Sequence, residues 1–249
     1  MSREKARRSL LPLGDALAAC AELERRLVFV PQGPPFPAPA ARVVRVGSVR
    51  RRAPEVGDLD LLVVLPRAWE PRIGEVLAAA RFAPRRRGDR LALGATLAVG
   101  ARQRRLACRV GGRAISVDLF AATRAERPFA LFHLTGPREY NIRTRAAAKR
   151  RGWRLNQYGL FRRAPPGAPV PGAERIRTEK DLALFLGLQP RAPAARGAEP
   201  AARGPGPAAR APAAQGPRPA RGPAYSSSSA RSRVRTFARQ KSSSTTRRL

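Results

Sequence analysis

Apolar residues along the chain keep changing their spacing, and each change marks a new element. From residue 10 to 30, LLPLGDALAACAELERRLVFV, they recur at helical intervals and predict an amphipathic helix. A Pro-rich loop, QGPPFPAPA, follows. Residues 43–46 then read as a short strand ending at Gly47, and 58–65 as a second strand stopped by Pro66. Ile73, Val76 and Leu77 return to helical spacing and predict a helix over 71–82. Strand-like segments come next at 91–99, 104–110 and 114–120, close enough in sequence to pair as hairpins. Helices beside sequential strands predict an α+β fold.

A second, smaller unit follows. LTGPREYNIRTRAAAKRRG predicts a helix with Gly136 as N-cap, Pro137 at the first helical position and Gly152 as its stop. WRLNQYGLFRR alternates as a strand. In RTEKDLALFLGL, Thr178 and Asp181 form a variant of the capping box at a helix start. The expected organisation is therefore 1–125, 126–189 and a tail over 190–249. That tail is Pro, Ala, Gly, Arg and Ser, with 13 Lys+Arg and one acid. It has too few large apolar residues to offset chain entropy, and disorder is expected there.

Charge narrows the function. Lys+Arg number 50 against 17 Asp+Glu, a formal +33, which points to a polyanion such as nucleic acid. No basic amphipathic helix with an aromatic face is evident, so a membrane partner is not expected. Cys20, Cys108 and His133 are the only residues of their kinds, which argues against a zinc site or a disulfide framework and suits an intracellular setting. The first residues mix arginines with acids and read as part of a folded helix, not a targeting peptide.

The acids are few, and three stand out. Residues two apart on a strand share a face, so GDLDLLVV puts Asp58 and Asp60 together, with Leu59 and Leu61 on the buried side. Asp118 lies in AISVDLFAA, on another apolar strand. Carboxylates among apolar strands are costly unless paired or bound to metal. Three on one sheet face would make an oxygen site for Mg²⁺, and two such ions could stabilise both the attacking and the leaving oxygen of a phosphoryl transfer. Just upstream, GSVRR offers Gly47 for close backbone approach, the Ser48 hydroxyl, and Arg51 as a fork for phosphate oxygens. Taken singly, the arginines fit a solvated loop and the DxD a half-exposed edge strand; the combination is more specific.

GSVRR followed by GDLDLLV resembles the signature of the DNA polymerase beta superfamily of nucleotidyltransferases. FHLTGPREYNIRTRAAAKRRGWRLNQYGLF is similar to the family X DNA polymerases within it, and the likeness runs over about residues 43–187. The resemblance implies a nucleotidyltransferase palm, a mixed β-sheet with helices, and a small α/β C-terminal domain that clamps the nascent base pair. It implies that Asp58, Asp60 and Asp118 hold two Mg²⁺ ions, replaceable by Mn²⁺, with Asp118 nearest the primer 3′-OH. Gly47, Ser48, Arg51 and Gly136 would bind the nucleotide, with Asn141 facing it in the minor groove, while Arg138 and Arg145 would contact DNA. His133 and Leu134 stand where the family commonly has Tyr-Phe, a histidine shared with a small viral member, and His133 is expected to touch the nucleotide. Arg52 replaces a common glycine. Only about 40 residues precede the Gly-Ser motif, so no lyase domain is expected.

The implied function is template-directed filling of short gaps in DNA repair. Its partners would be gapped or nicked DNA and dNTPs, and the chain would act as a monomer. A viral source would place it in the virion and host cytoplasm. The alternatives are a non-catalytic nucleic-acid-binding or virion packaging protein and a template-independent nucleotidyltransferase.

Overall fold

The computed structural model describes residues 9–29 and 41–197; the Pro-rich loop and the tail from 198 lie outside them. A short strand β1 (Leu11–Pro12) leads into helix α1 (Leu13–Arg26) and strand β2 (Leu27–Phe29). Next come β3 (Arg42–Arg45), the single turn α2 (Gly47–Arg50), β4 (Glu55–Val56) and β5 (Asp58–Leu65). A 3₁₀ turn over Arg67–Arg72 precedes α3 (Ile73–Ala79), β6 (Ala80–Phe82), β7 (Leu91–Gly100), β8 (Gln103–Val110) and β9 (Arg113–Thr123). The C-terminal part holds α4 (Arg127–Thr135), α5 (Arg138–Arg150), β10 (Trp153–Asn156), β11 (Gly159–Arg162), α6 (Glu179–Phe185) and a 3₁₀ turn over Pro193–Arg196.

Five strands form the main sheet in the order β3-β5-β9-β8-β7. β5 and β9 run parallel at its centre, and the other pairs are antiparallel. The α+β class read from the sequence is what the structure has. Alternation along β5 and β9 builds two faces. Leu59, Leu61, Val63, Val117 and Leu119 point into the main core with Leu23 of α1 and Leu77 of α3. Leu62, Val64 and Ala122 point the other way and pack on Ala130 and Leu131 of α4. A separate core gathers Phe129 and Phe132 of α4 with Tyr140, Leu155, Leu160 and Leu182. Helix α4 thus faces both cores. Among the described residues, no helix is long and apolar enough to cross a membrane.

Several elements differ from their sequence-based forms. The helix expected over 10–30 is shorter, because Leu11–Pro12 pair with β4 and Leu27–Phe29 with β6. The one over 71–82 shrinks to α3, since Pro71 lies in a 3₁₀ turn and Ala80–Phe82 join a ladder. WRLNQYGLFRR is a hairpin: Asn156 Oδ1 accepts from the backbone N–H of Tyr158 at 2.9 Å and of Gly159 at 3.1 Å, which turns the chain. Helix α4 has no counterpart in the sequence reading, because both its faces are buried and no polar stripe marks it. Gly136 therefore ends α4, and Pro137 is the N-cap residue of α5. The capping box of Thr178 and Asp181 forms as read.

Residues 190–197, assigned by composition to the tail, are largely exposed but anchored by one buried side chain. Arg196 is 2% exposed. Its Nη2 donates to Glu179 Oε1 at 2.8 Å, and its guanidinium lies 5.1 Å from the ring centres of both Phe132 and Tyr140. A chain ending at Pro190 should therefore unfold in urea at about 2–3 kcal/mol lower stability than one ending at Gly197, because a buried cation and its ring contacts are lost while Glu179 keeps Arg50. Equal stabilities would mean that Arg196 contributes nothing net.

Candidate active site

The face of β5 that α4 covers at Leu62 and Val64 carries Asp58 and Asp60 at its uncovered end. Parallel pairing sets Asp60 beside Asp118 and Asp58 beside Ser116. One carboxylate oxygen from each of Asp58, Asp60 and Asp118 lies within 4.8 Å of the other two. The convergence expected from strand parity is present. Two oxygens on one Mg²⁺ sit at most about 4.2 Å apart, so a small closure of these side chains would seat an ion.

Concentrated negative charge has measurable consequences. Burial, then the charges of Asp58 and Asp118, push the Asp60 carboxyl up to about 7, against opposing pulls from Arg51 and Arg105. Asp118 is fully buried and held by Arg105 of β8, whose Nε donates to Oδ1 at 2.8 Å and Nη2 to Oδ2 at 2.6 Å. Gln103 Nε2 adds a longer bond to Oδ1 at 3.3 Å.

The Gly-Ser-Arg residues expected to bind phosphate stand directly on the acids. Val46 N–H donates to Asp60 O at 2.9 Å, and Gly47 has φ +60. A Cβ at Gly47 would lie 1.9 Å from Asp60 Oδ2, so only glycine fits. Among the described residues, the buried Ser48 Oγ has no hydrogen-bond partner. Arg51 is half-buried, and its Nη1 donates to Thr135 O. Arg50 donates to Thr135 Oγ1 and to both carboxylate oxygens of Glu179. Arg52, where the common pattern has glycine, adopts φ 57 with its side chain exposed.

From Arg51 the site continues into the C-terminal part. A Cβ at Gly136 would meet Arg51 Nη1 at 3.4 Å and Asn141 Nδ2 at 3.9 Å. Asn141 is buried and donates to His133 O at 2.6 Å. Burial, helped by the Arg145 charge, lowers the His133 pKa, so the ring is neutral at pH 7. It borders a cavity of about 380 Å³ with Gln103, Phe120 and Tyr158. Arg138 and Arg145 are exposed on α5, outside this chain of contacts. Arg145 lines a second cavity, of about 370 Å³, with Lys149, Trp153, Arg154, Arg162 and Arg163.

The DNA polymerase beta thumb family matches residues 130–197. The repair DNA polymerase X of African swine fever virus, Tick/Malawi isolate, is 35% identical over 174 residues, spanning 70% of this chain and 92% of the relative. The chain belongs to the family X DNA polymerases. The Badajoz strain's repair DNA polymerase X matches equally, at 35% over the same shares. In fold, this family X chain is similar to Leishmania infantum polymerase beta, solved as a ternary P/T complex, with a TM-score of 0.53 and 22% identity over 76% of this chain and 77% of that one. The ternary gap complex of the same enzyme gives a TM-score of 0.54 at 21% identity, over 76% and 71%. Membership of family X implies a divalent metal, and the aspartate triad has the donors for one.

For this family X polymerase, the sequence reading overlooked Arg105, Gln103, Arg50 and Glu179. In QRRLACRV, Gln103 and Arg105 share a parity, but only the register Arg105 to Asp118 shows that they face the acids. Arg50 and Glu179 are 129 positions apart, beyond any local signal.

Asp60 dictates a pH dependence in metal-free protein. Its folded pKa, about 7, stands above the ordinary 3.8, so the stability present in acid is lost as pH rises between these values. Asp60→Asn should therefore melt above wild type in EDTA at pH 8, with an advantage that shrinks below pH 7 and is gone near pH 4. A gap independent of pH would refute the coupling. Arg52→Gly should gain about 0.5–1 kcal/mol in urea unfolding, because glycine relieves a left-handed φ and returns part of the gain through the unfolded chain.

Proposed function

We propose that this chain is a template-directed DNA polymerase that fills short gaps during repair. It joins a dNTP to a primer 3′-OH with two Mg²⁺ ions at Asp58, Asp60 and Asp118. The observation that carries this reading is the unpartnered Ser48 hydroxyl, on a loop whose Gly47 packs against Asp60 of the converging triad. A phosphate grip and an oxygen-ligand metal site adjoin, which is what transfer from a nucleoside triphosphate needs.

Bound metal would neutralise charge on the attacking and leaving oxygens. The remaining duties fall to the protein. Gly47 admits the triphosphate close to the backbone, Ser48 donates to a phosphate oxygen, and Arg51 supplies a guanidinium already anchored on Thr135. Asp118 lies nearest the primer 3′-OH and orients it for attack on the α-phosphorus, with pyrophosphate leaving. Neutral His133 offers an uncharged ring to the nucleotide, and Asn141, fixed by the His133 carbonyl, faces it from the minor groove. Residues 1–125 serve as the palm and 126–189 as the clamp, a division supported by the thumb match over 130–197. Arg138 and Arg145 contact DNA, and the basic cavity around Arg145 suits its phosphates. One copy of the chain carries all of these groups, so a monomer suffices for the reaction.

Extension of a primer across a short gap, with Mg²⁺ and all four dNTPs, tests the reading. Asp118→Ala should lower the rate by roughly 10³-fold or more, on the scale of losing a group that stabilises developing charge. Omitting the template strand should abolish extension. Persistent untemplated addition would instead make the protein a template-independent transferase.

A further inference from the structure

Asp118 already has a cation on both oxygens. Arg105 sits directly opposite it in the β8–β9 ladder, so the backbone register itself delivers the guanidinium to the carboxylate. The fork is close on both sides, at 2.8 and 2.6 Å. Asp118 is 1% exposed, whereas the Arg105 side chain is 41% exposed. Among the described residues, Asp58 and Asp60 carry no such fork.

A carboxylate has about four lone-pair sites; the guanidinium takes one on each oxygen and Gln103 a second on Oδ1. A divalent ion drawing on the remaining sites would stand beside a fixed positive charge. We infer that Arg105 is a positioning residue that competes with the divalent ion for Asp118, holding the carboxylate in place and keeping metal affinity low until phosphates arrive. The inference rests on the proposed metal site and adds a loading order to it. Triphosphate and DNA phosphates bring the negative charge that makes a dication and a guanidinium tolerable together. The Arg105 side chain, 41% exposed, can then exchange one of its bonds to Asp118 for a bond to those phosphates. A purely structural role gives the opposite sign, since loss of a scaffold loosens a metal site.

The test is Mn²⁺ titration of the full-length, DNA-free protein followed by electron paramagnetic resonance. Arg105→Gln should bind Mn²⁺ about tenfold more tightly than wild type, the size of effect that one neighbouring charge has on an ionic equilibrium. Mn²⁺ should also raise the melting temperature of Arg105→Gln more than that of wild type, because the ion replaces the missing counter-charge. Arg105→Lys keeps a charge for the buried carboxylate and gives up the fork; it should fold even where the glutamine variant does not, and tighten binding about threefold. Unchanged or weaker binding in the variant that folds overturns the inference while leaving the metal site standing. Wild-type binding that Asp60→Asn does not weaken would remove the metal site, and this inference with it.

Discussion

Three carboxylates forced onto one end of a sheet face repel one another, and much of the surrounding structure answers that repulsion. The forcing is geometric: β5 and β9 run parallel in register, so Asp60 and Asp118 are neighbours whatever their charges prefer. Arg105 neutralises Asp118 from the next strand, and Arg51 acts on Asp60 from the end of α2. Burial, with what stays uncompensated of the repulsion, raises the Asp60 pKa. A chain with a formal +33 thus concentrates part of its small acidic complement at one end of one sheet face.

Helix α4 decides where that acidic patch stops. It covers the distal half of the same sheet face with Ala130 and Leu131, and turns Phe129 and Phe132 toward the C-terminal core. Its last residue, Thr135, receives Arg50 and Arg51 from the loop around α2. Glu179 joins Arg50 to Arg196, so the loop, α6 and the anchored segment after Pro190 form one ionic chain. Such a partly buried network is costly to break at any single member.

Much of the site was legible in the sequence, because period-two alternation assigns a face without any knowledge of partners. Asp58 and Asp60 were found that way, and Asp118 by the anomaly of an acid in an apolar strand. Register is what alternation lacks: Arg105 could not be matched to Asp118 until β8 and β9 were paired. Helix α4 was missed because a helix buried on two sides resembles an unpatterned apolar run. Arg196 was missed because composition averages over a window, and its eight-residue neighbourhood is Pro- and Ala-rich even though one guanidinium in it is packed against two rings.

Gly47 has a wider consequence. With no room for even a methyl group between it and Asp60, the loop and the strand behave as a single mechanical part. Variation at that position is closed, since any side chain there would displace the Asp60 carboxylate. Room for change lies further out, at the exposed Arg52 and the half-buried His133 and Leu134.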